Sequence, residues 1–273
     1  MVAVGDIGPD TDWSRALDSI DAVIHLAGRA HVLRREADTL ANFRRVNAAG
    51  TARLAQQAEQ AGVRRFVLIS SVKAAADTSI GQGLLESDPP HPGSPYGISK
   101  LEGEQSLFTA AGRMEPVVLR PPLVYGPEVR ANFRALLRLV ESGLPLPLGS
   151  VRNRRSLIAL DNLVDAIVTA LSARGVVGGT YYIADGPPLS TPALIKELAT
   201  ALGKPARLFT FPPSLLATAA SLLGRREQAD SLLGSLVVDD RAFRAATGWR
   251  PPLDQAAAFS AVASWYKAAK GKP

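Results

Sequence analysis

The chain has 273 residues, of which 47% are hydrophobic and 21% charged, a composition typical of a soluble globular protein with a sizeable core. It has no cysteine, which excludes disulfides and thiolate metal sites, and its scattered histidines lack metal-ligand spacing, so we predict no metal. The net charge of +6 is compatible with a nucleic-acid partner, but it comes mostly from dispersed arginines without interleaved aromatic residues, so an anionic small molecule fits as well. We predict a small-molecule partner and no nucleic acid. Without a signal peptide or an apolar run of about 20 residues, we expect a cytoplasmic protein with no stable membrane insertion.

The first half of the chain alternates short apolar segments with helical ones. Such alternation predicts an α/β fold, with a parallel sheet that is covered by helices on both faces. The predicted strands cover residues 1–6, 21–28, 65–71 and 116–120, and the predicted helices cover 11–20, 42–61 and 96–111. In such sheets ligands bind beyond the carboxyl ends of the strands. Small and polar residues collect at these ends, at Asp6, Ala27–Gly28 and Ser70–Ser71.

The second half is less regular and predicts a smaller, mostly helical part. Helices are expected over 132–142, 161–173, 191–202 and 212–223, with a last helix that ends at Trp265, and one strand is expected over 180–183. The 212–223 helix is apolar but too short to cross a bilayer.

Tyr96 and Lys100 are the strongest candidates for catalysis. They are four residues apart, so on a helix both side chains lie on one face. A phenol has a pKa of about 10, and a neighbouring ammonium lowers it. With the Ser71 hydroxyl on the same reacting oxygen, the three groups could move a proton on and off a hydroxyl or carbonyl.

Eight segments in order along the chain together resemble one family, the extended short-chain dehydrogenase/reductases, and within it the UDP-glucose 4-epimerase-like nucleotide-sugar enzymes. They are Gly5-Asp6-Ile7, His25-Leu26-Ala27-Gly28, Asn47-Ala48-Ala49-Gly50-Thr51, Ser70-Ser71, Tyr96-Gly97-Ile98-Ser99-Lys100, Arg120-Pro121-Pro122-Leu123-Val124-Tyr125-Gly126-Pro127, Arg154-Arg155-Ser156-Leu157-Ile158 and Gly248-Trp249-Arg250-Pro251.

The resemblance implies a Rossmann-type domain over residues 1–126 and about 156–184, and a substrate-binding region over 127–155 and 185–273. It also implies Tyr96 as the acid–base catalyst, Lys100 on the nicotinamide ribose and Ser71 orienting the reacting oxygen.

The other implied contacts belong to cofactor and substrate. Those implied for NAD, with NADP not excluded, are Asp6, Ile7, Leu26, Ala27, Gly28, Asn47, Ser70 and Pro122. Those implied for a UDP-sugar are Asn132 and Arg155 on the diphosphate. Lys73 departs from the Thr or Ala of several epimerases at this position and could contact a phosphate or sugar hydroxyl of the substrate. The resemblance further implies a homodimer.

The sequence departs from the family pattern in lacking a Gly-x-x-Gly-x-x-Gly loop, which would bind the cofactor pyrophosphate at a helix N-terminus. We therefore expect an N-terminally truncated Rossmann-type sheet without its first strand, helix and second strand, and weak NAD binding by this chain. The doubly wound strand order then predicts that strand 1–6 has no partner and that strand 21–28 is an exposed apolar edge.

The expected function is NAD-dependent 4-epimerisation of a UDP-hexose or UDP-N-acetylhexosamine in polysaccharide biosynthesis. One alternative is an NAD(P)H-dependent 4-keto-sugar reductase, because the same residues would serve both reactions. Another is a catalytically impaired fragment that binds nucleotide sugars. A further possibility is action on lipid-linked sugars, with the 212–223 helix lying on a membrane.

Overall fold

The computed structural model describes residues 1–30, 39–81, 83–224 and 226–270. Its main sheet contains four parallel strands in the order β1 (Ala22–His25), β2 (Arg65–Ile69), β3 (Glu115–Arg120) and β6 (Thr180–Tyr182). A second pair, β4 (Leu123–Tyr125) and β5 (Leu157–Ala159), is also parallel. In the main sheet, Ala22 lies opposite Arg65, and Arg65 lies opposite Glu115. This register brings the carboxyl ends of β1, β2 and β3 to one edge of the sheet.

Helices cover both faces of the main sheet, as the alternation of strands and helices predicts. Successive residues of a strand point to opposite faces. Phe66 and Leu68 of β2 pack with α2 (Thr51–Gln60) and α3 (Pro95–Ala110). Val67, between them, packs with α5 (Leu160–Ser172) on the other face. The strand is buried on both sides, which explains why it is a continuous apolar run rather than an alternating one.

The predicted edge strand is confirmed. Within the described ranges β1 pairs with β2 alone, and Ile24 and Leu26 beside its open edge are 39% and 65% exposed.

Two predictions at the start of the chain are wrong. Residues 1–6 form no strand, and residues 11–20 form turns rather than a helix. An isolated segment gains no ladder hydrogen bonds, so apolar character alone does not make residues 1–6 a strand. In the second segment, Trp13 and Leu17 pack against the α2–α3 face of the sheet, and turn hydrogen bonds satisfy the backbone.

The predicted helix over 42–61 is in fact three joined pieces. It comprises α1 (Thr39–Arg44), a π-helical turn (Arg45–Gly50) and α2. A π-turn adds a residue to the helical circuit and is frequent at functional sites.

The remaining helices are α4 (Ala131–Glu141), α6 (Thr191–Leu202), α7 (Pro213–Leu222), α8 (Arg226–Leu233), α9 (Arg241–Thr247) and α10 (Gln255–Lys270). Phe243 of α9 packs in the core of the main sheet with Val67 and Leu119. A separate apolar core joins α4, α6 and α10, with Leu137, Leu198 and Val262 fully enclosed. In the described part of the chain, no helix is both long and apolar enough to cross a membrane.

Candidate active site

The position of Tyr96 is set by the first turn of α3. Ser94 caps the helix by accepting a hydrogen bond of 3.2 Å from the Gly97 N–H, and Pro95 occupies the first turn, where its missing N–H costs nothing. Gly97 allows this turn to approach the 3₁₀ turn Val72–Ala74, since an added Cβ would collide with the Lys73 carbonyl. This close approach brings the Ser71 side chain beside the Tyr96 phenol, whose pKa it lowers.

Burial, rather than a neighbouring charge, controls the acidity of Tyr96. Desolvation raises the pKa of Tyr96 above its usual value, and the hydrogen bond from Ser71 partly offsets this effect. The expectation that Lys100 lowers the pKa of Tyr96 is therefore wrong for this structure. The Lys100 ammonium instead donates a hydrogen bond of 2.8 Å to the Ile69 carbonyl at the end of β2.

Lys100 is a nearly buried cation beside the same strand end. Burial lowers its pKa to about 8, and Glu104, one helical turn further on, opposes that change. His25 lies on the neighbouring strand. Its burial and, secondarily, the charge of Lys100 lower the pKa of His25 to about 4, so His25 is neutral at physiological pH.

Asn47 connects the active-site helix to the loop after β1. Its amide nitrogen donates to Ser99 Oγ (3.0 Å) and to the Arg29 carbonyl (2.9 Å), while its oxygen accepts from the Arg29 N–H (2.8 Å). A Cβ at Gly28 would lie 3.2 Å from Asn47 Oδ1 and 3.8 Å from Lys100 Nζ. The structure thus brings Gly28, Asn47 and Lys100 together, as expected for a site at this edge of the sheet.

A buried ion pair between Glu104 and Arg120 lies behind Lys100, and the sequence did not lead us to predict it. Glu104 accepts hydrogen bonds from Arg120 at 3.1 and 2.6 Å and a short one from Ser70 Oγ. Arg120 also donates to the Tyr182 hydroxyl at 3.4 Å. The four-residue spacing from Lys100 to Glu104 was the available signal, because it places Glu104 on the same helix face as Tyr96 and Lys100. This network fixes the ends of β2, β3 and β6 against α3.

The other residues predicted to contact the cofactor lie in the turn at the start of the chain and in the segments that follow β1 and β3. Pro122 is buried and follows Pro121, whose carbonyl accepts from the Val72 N–H at 2.9 Å, next to Ser71. Asp6 and Ile7 belong to a turn in which the Asp6 carbonyl accepts from Thr11 Oγ at 2.8 Å. Ile7 packs on Gly50 at the end of the π-turn. Leu26 and Ala27 follow β1, with Leu26 largely exposed.

The predicted substrate residues Lys73, Asn132 and Arg155 are less enclosed than Lys100. The Lys73 ammonium forms an ion pair of 2.7 Å with Asp77, whose other oxygen accepts from the Gly93 N–H, so this pair braces the loop before Tyr96. Asn132 is exposed on α4. Arg155 is half-buried and donates to the Gly234 carbonyl at 3.2 Å.

The segment 234–238 forms hydrogen bonds both with Arg155 and with the loop that precedes Tyr96. Ser79 N–H donates to the Ser235 carbonyl (2.9 Å), and Leu84 N–H to the Val237 carbonyl (2.9 Å). The Leu236 N–H donates to the Arg154 carbonyl at 2.9 Å. Among the residues that the structure describes, no carboxylate pairs with Arg155, and burial lowers the pKa of its guanidinium. A planar, half-buried cation of this kind suits a diphosphate.

The fold is that of a Rossmann-type α/β protein, with Ser71, Tyr96 and Lys100 near the carboxyl edge of its sheet. The NAD dependent epimerase/dehydratase family matches residues 2–184. The chain belongs to this family of enzymes.

Individual relatives agree with this assignment. The chain is 41% identical over 257 residues to a UDP-glucose 4-epimerase of Vibrio cholerae, an alignment that covers 92% of this chain and 78% of that protein. It is 26% identical over 225 residues to an N-acetyl-alpha-D-glucosaminyl-diphospho-ditrans,octacis-undecaprenol 4-epimerase of Escherichia coli O157:H7, covering 79% and 66%. The UDP-glucuronic acid 4-epimerase of Bacillus cereus, solved with UDP-glucuronic acid and NAD, has the same fold. Its TM-score is 0.78 at 23% identity, and the match covers 97% of this chain and 81% of that one.

The residues present fit the nicotinamide-ribose end of NAD, the cofactor of the family. Lys100 has three N–H donors, and one of them contacts Ile69, which leaves donors for ribose hydroxyls. The absent side chain of Gly28 keeps the space beside Lys100 Nζ open.

Proposed function

We propose that this protein catalyses 4-epimerisation of a UDP-hexose or UDP-N-acetylhexosamine by NAD-dependent hydride transfer. The observation that carries the proposal is the placement of Ser71 beside Tyr96 at the carboxyl edge of the sheet, where buried Lys100 donates to the Ile69 carbonyl. An epimerase also needs a binding group for the nucleotide diphosphate, and Arg155 supplies an unpaired cation in the described part of the chain.

In the proposed mechanism, Tyr96 as the phenolate accepts the proton of the sugar 4-hydroxyl as C4 is oxidised, and returns it when the 4-keto group is reduced on its other face. NAD, when bound, supplies the acceptor and then the donor of the C4 hydride. Ser71 holds the reacting oxygen against Tyr96 throughout. Lys100 positions the ribose, and Glu104, paired with Arg120 behind it, favours the charged form of the Lys100 ammonium.

The diphosphate is the part of the substrate that the two curated relatives share. One relative acts on a UDP-sugar and the other on a sugar joined through a diphosphate to undecaprenol, according to their names. Arg155 and Asn132 would contact the diphosphate in either case, whereas the group beyond it decides between uridine and a lipid.

The test is incubation of the purified chain and NAD with UDP-glucose, UDP-N-acetylglucosamine or a 4-keto-6-deoxy UDP-sugar plus NAD(P)H. Chromatography of the sugar nucleotides then separates the outcomes. Conversion of the first two substrates supports an epimerase, and consumption of the third supports the reductase alternative. Calorimetric binding of the UDP-sugars without turnover by any route would favour the binding fragment and overturn the proposal.

Tyr96→Phe should abolish turnover, while Tyr181→Phe is the matched control. Tyr181 lies on β6, where its hydroxyl donates to the Gly175 carbonyl, away from the Ser71–Tyr96 contact. If Tyr96→Phe kept full activity, the assignment of Tyr96 would be wrong.

Residues 1–126 with about 156–184 would then hold the cofactor, and 127–155 with 185–273 the substrate. The homodimer and the cytoplasmic location stay predictions, which light scattering and cell fractionation can check.

A further inference from the structure

Helix α7 presents its leucines outward. None of its residues is buried, and Leu216 is the leucine that packs against the core of the helical part. Leu215 and Leu222 are 55% and 84% exposed, and Leu223 just after the helix is 73% exposed. Leu215, Ala219 and Leu222 are spaced four and three residues apart, so they form a stripe on the outward face. A soluble helix normally places such a stripe against its core.

The segment before α7 extends this apolar surface and is held firmly. Phe209 is 46% exposed, yet its backbone N–H donates to the Leu146 carbonyl at 3.0 Å and its carbonyl accepts from Gly149 at 2.9 Å. Leu144, two residues before Leu146, is 61% exposed. The exposed side chains therefore project from a backbone that the fold has fixed.

The segment that carries this surface has basic residues and no acidic one. From Gly203 to Gly224 the sequence contains Lys204 and Arg207 and neither Asp nor Glu. Lys204 and Arg207 are exposed. Basic residues that flank an exposed apolar helix are complementary to an anionic lipid surface, where the leucines enter the acyl boundary and the cations meet the headgroups.

We propose that α7 and the preceding segment 204–211 dock the protein peripherally on an anionic lipid bilayer. The helix lies in the interface plane and does not cross the membrane, because its length of ten residues is far below that of a spanning helix. This role is separate from turnover, so it holds or fails independently of the proposed epimerisation.

Helix α7 is connected through the chain to the predicted substrate-binding region. The chain passes from α7 through α8 to Gly234, whose carbonyl accepts the hydrogen bond from Arg155. The lipid-bound element is thus linked by one short helix to the predicted diphosphate-binding residue.

The test is co-sedimentation of the full chain with vesicles of phosphatidylcholine, with and without phosphatidylglycerol. We expect binding to the anionic vesicles and little to the neutral ones. Leu215→Asp with Leu222→Asp should reduce the partition coefficient at least about tenfold, because each leucine loses its transfer from water. Lys204→Glu with Arg207→Glu should reduce it about tenfold or more on anionic vesicles.

Val177→Asp, an exposed apolar residue outside this segment (42%), is the matched control and should bind as the parent does. Circular dichroism checks that each variant is folded, and the Lys204–Arg207 variant changes no apolar contact. Absence of binding to both vesicles, or binding unaffected by either double variant, would overturn the proposal. So would a leucine variant that only converts a dimer to a monomer in light scattering, since α7 would then contact a second copy.

Discussion

The catalytic edge of the sheet and the helical part around Arg155 differ in how they hold their polar groups. At the sheet edge, Glu104, Arg120 and Ser70 form a buried network in which each charge has partners. Around Arg155 the guanidinium contacts one carbonyl, and Asn132 is exposed. A buried, satisfied network fixes geometry, whereas a half-buried cation is available for a ligand. We infer that the first region determines the chemistry and the second the choice of substrate.

The largest expected effect is on turnover at the sheet edge. Tyr96→Phe removes the proton acceptor and should lower kcat about a thousandfold with little change in KM, since acid–base groups act mainly in the transition state. Steady-state kinetics on the best substrate measures it, with Tyr181→Phe unchanged. A comparable loss in both variants would mean that the effect is not specific to Tyr96.

The next effect tests whether the network behind Lys100 is structural. Glu104→Ala leaves Arg120 as an unpaired buried cation and should cost about 3–5 kcal/mol in the free energy of unfolding. Glu102→Ala, two residues earlier on α3, breaks an ion pair with Arg44 whose side chains are 50% and 31% exposed. This control should cost at most about 1 kcal/mol. Equal losses in urea unfolding would contradict the contrast between buried and exposed pairs.

The pH dependence of stability tests the buried site without any substrate. The pKa of His25 falls from 6.5 to about 4 on folding, so below about pH 6.5 the unfolded chain binds more protons, and stability is lost as the pH is lowered. Between about pH 7 and pH 5, this group should cost about 2 kcal/mol in unfolding free energy.

His25→Gln should remove that part of the slope, whereas His91→Gln, at an exposed position, should not. Urea titrations at several pH values compare the three proteins. An unchanged slope in His25→Gln would show that His25 is not the group responsible.

The smallest expected effect is on substrate binding by Arg155. Arg155→Met should raise KM for a UDP-sugar about tenfold with kcat nearly unchanged, because a diphosphate contact acts equally in ground and transition states. Arg154→Met, at the exposed neighbouring position, is the control. A fall in kcat with unchanged KM would show that Arg155 acts in the chemical step and not in substrate binding.

Much of the site could be predicted because its signals are local. Ser94 and Pro95 define the start of α3, so the spacing of Tyr96 and Lys100 on one face followed directly. The Glu104–Arg120 pair could not be found this way, because its two residues meet only when β3 lies beside α3. The direction of the Tyr96 pKa shift was also missed, since desolvation depends on what surrounds the phenol.

By itself, the sequence determined the alternation of strands and helices, the place of Ser71 at a strand end and the shared helix face of Tyr96 and Lys100, because periodicity, capping and strand ends are properties of neighbouring residues. Only the tertiary structure decided that residues 1–6 are not a strand, that Lys73 pairs with Asp77 and that the leucines of α7 point outward. Each of these outcomes depends on whether a partner lies within contact distance, and distant parts of the chain supply or withhold that partner.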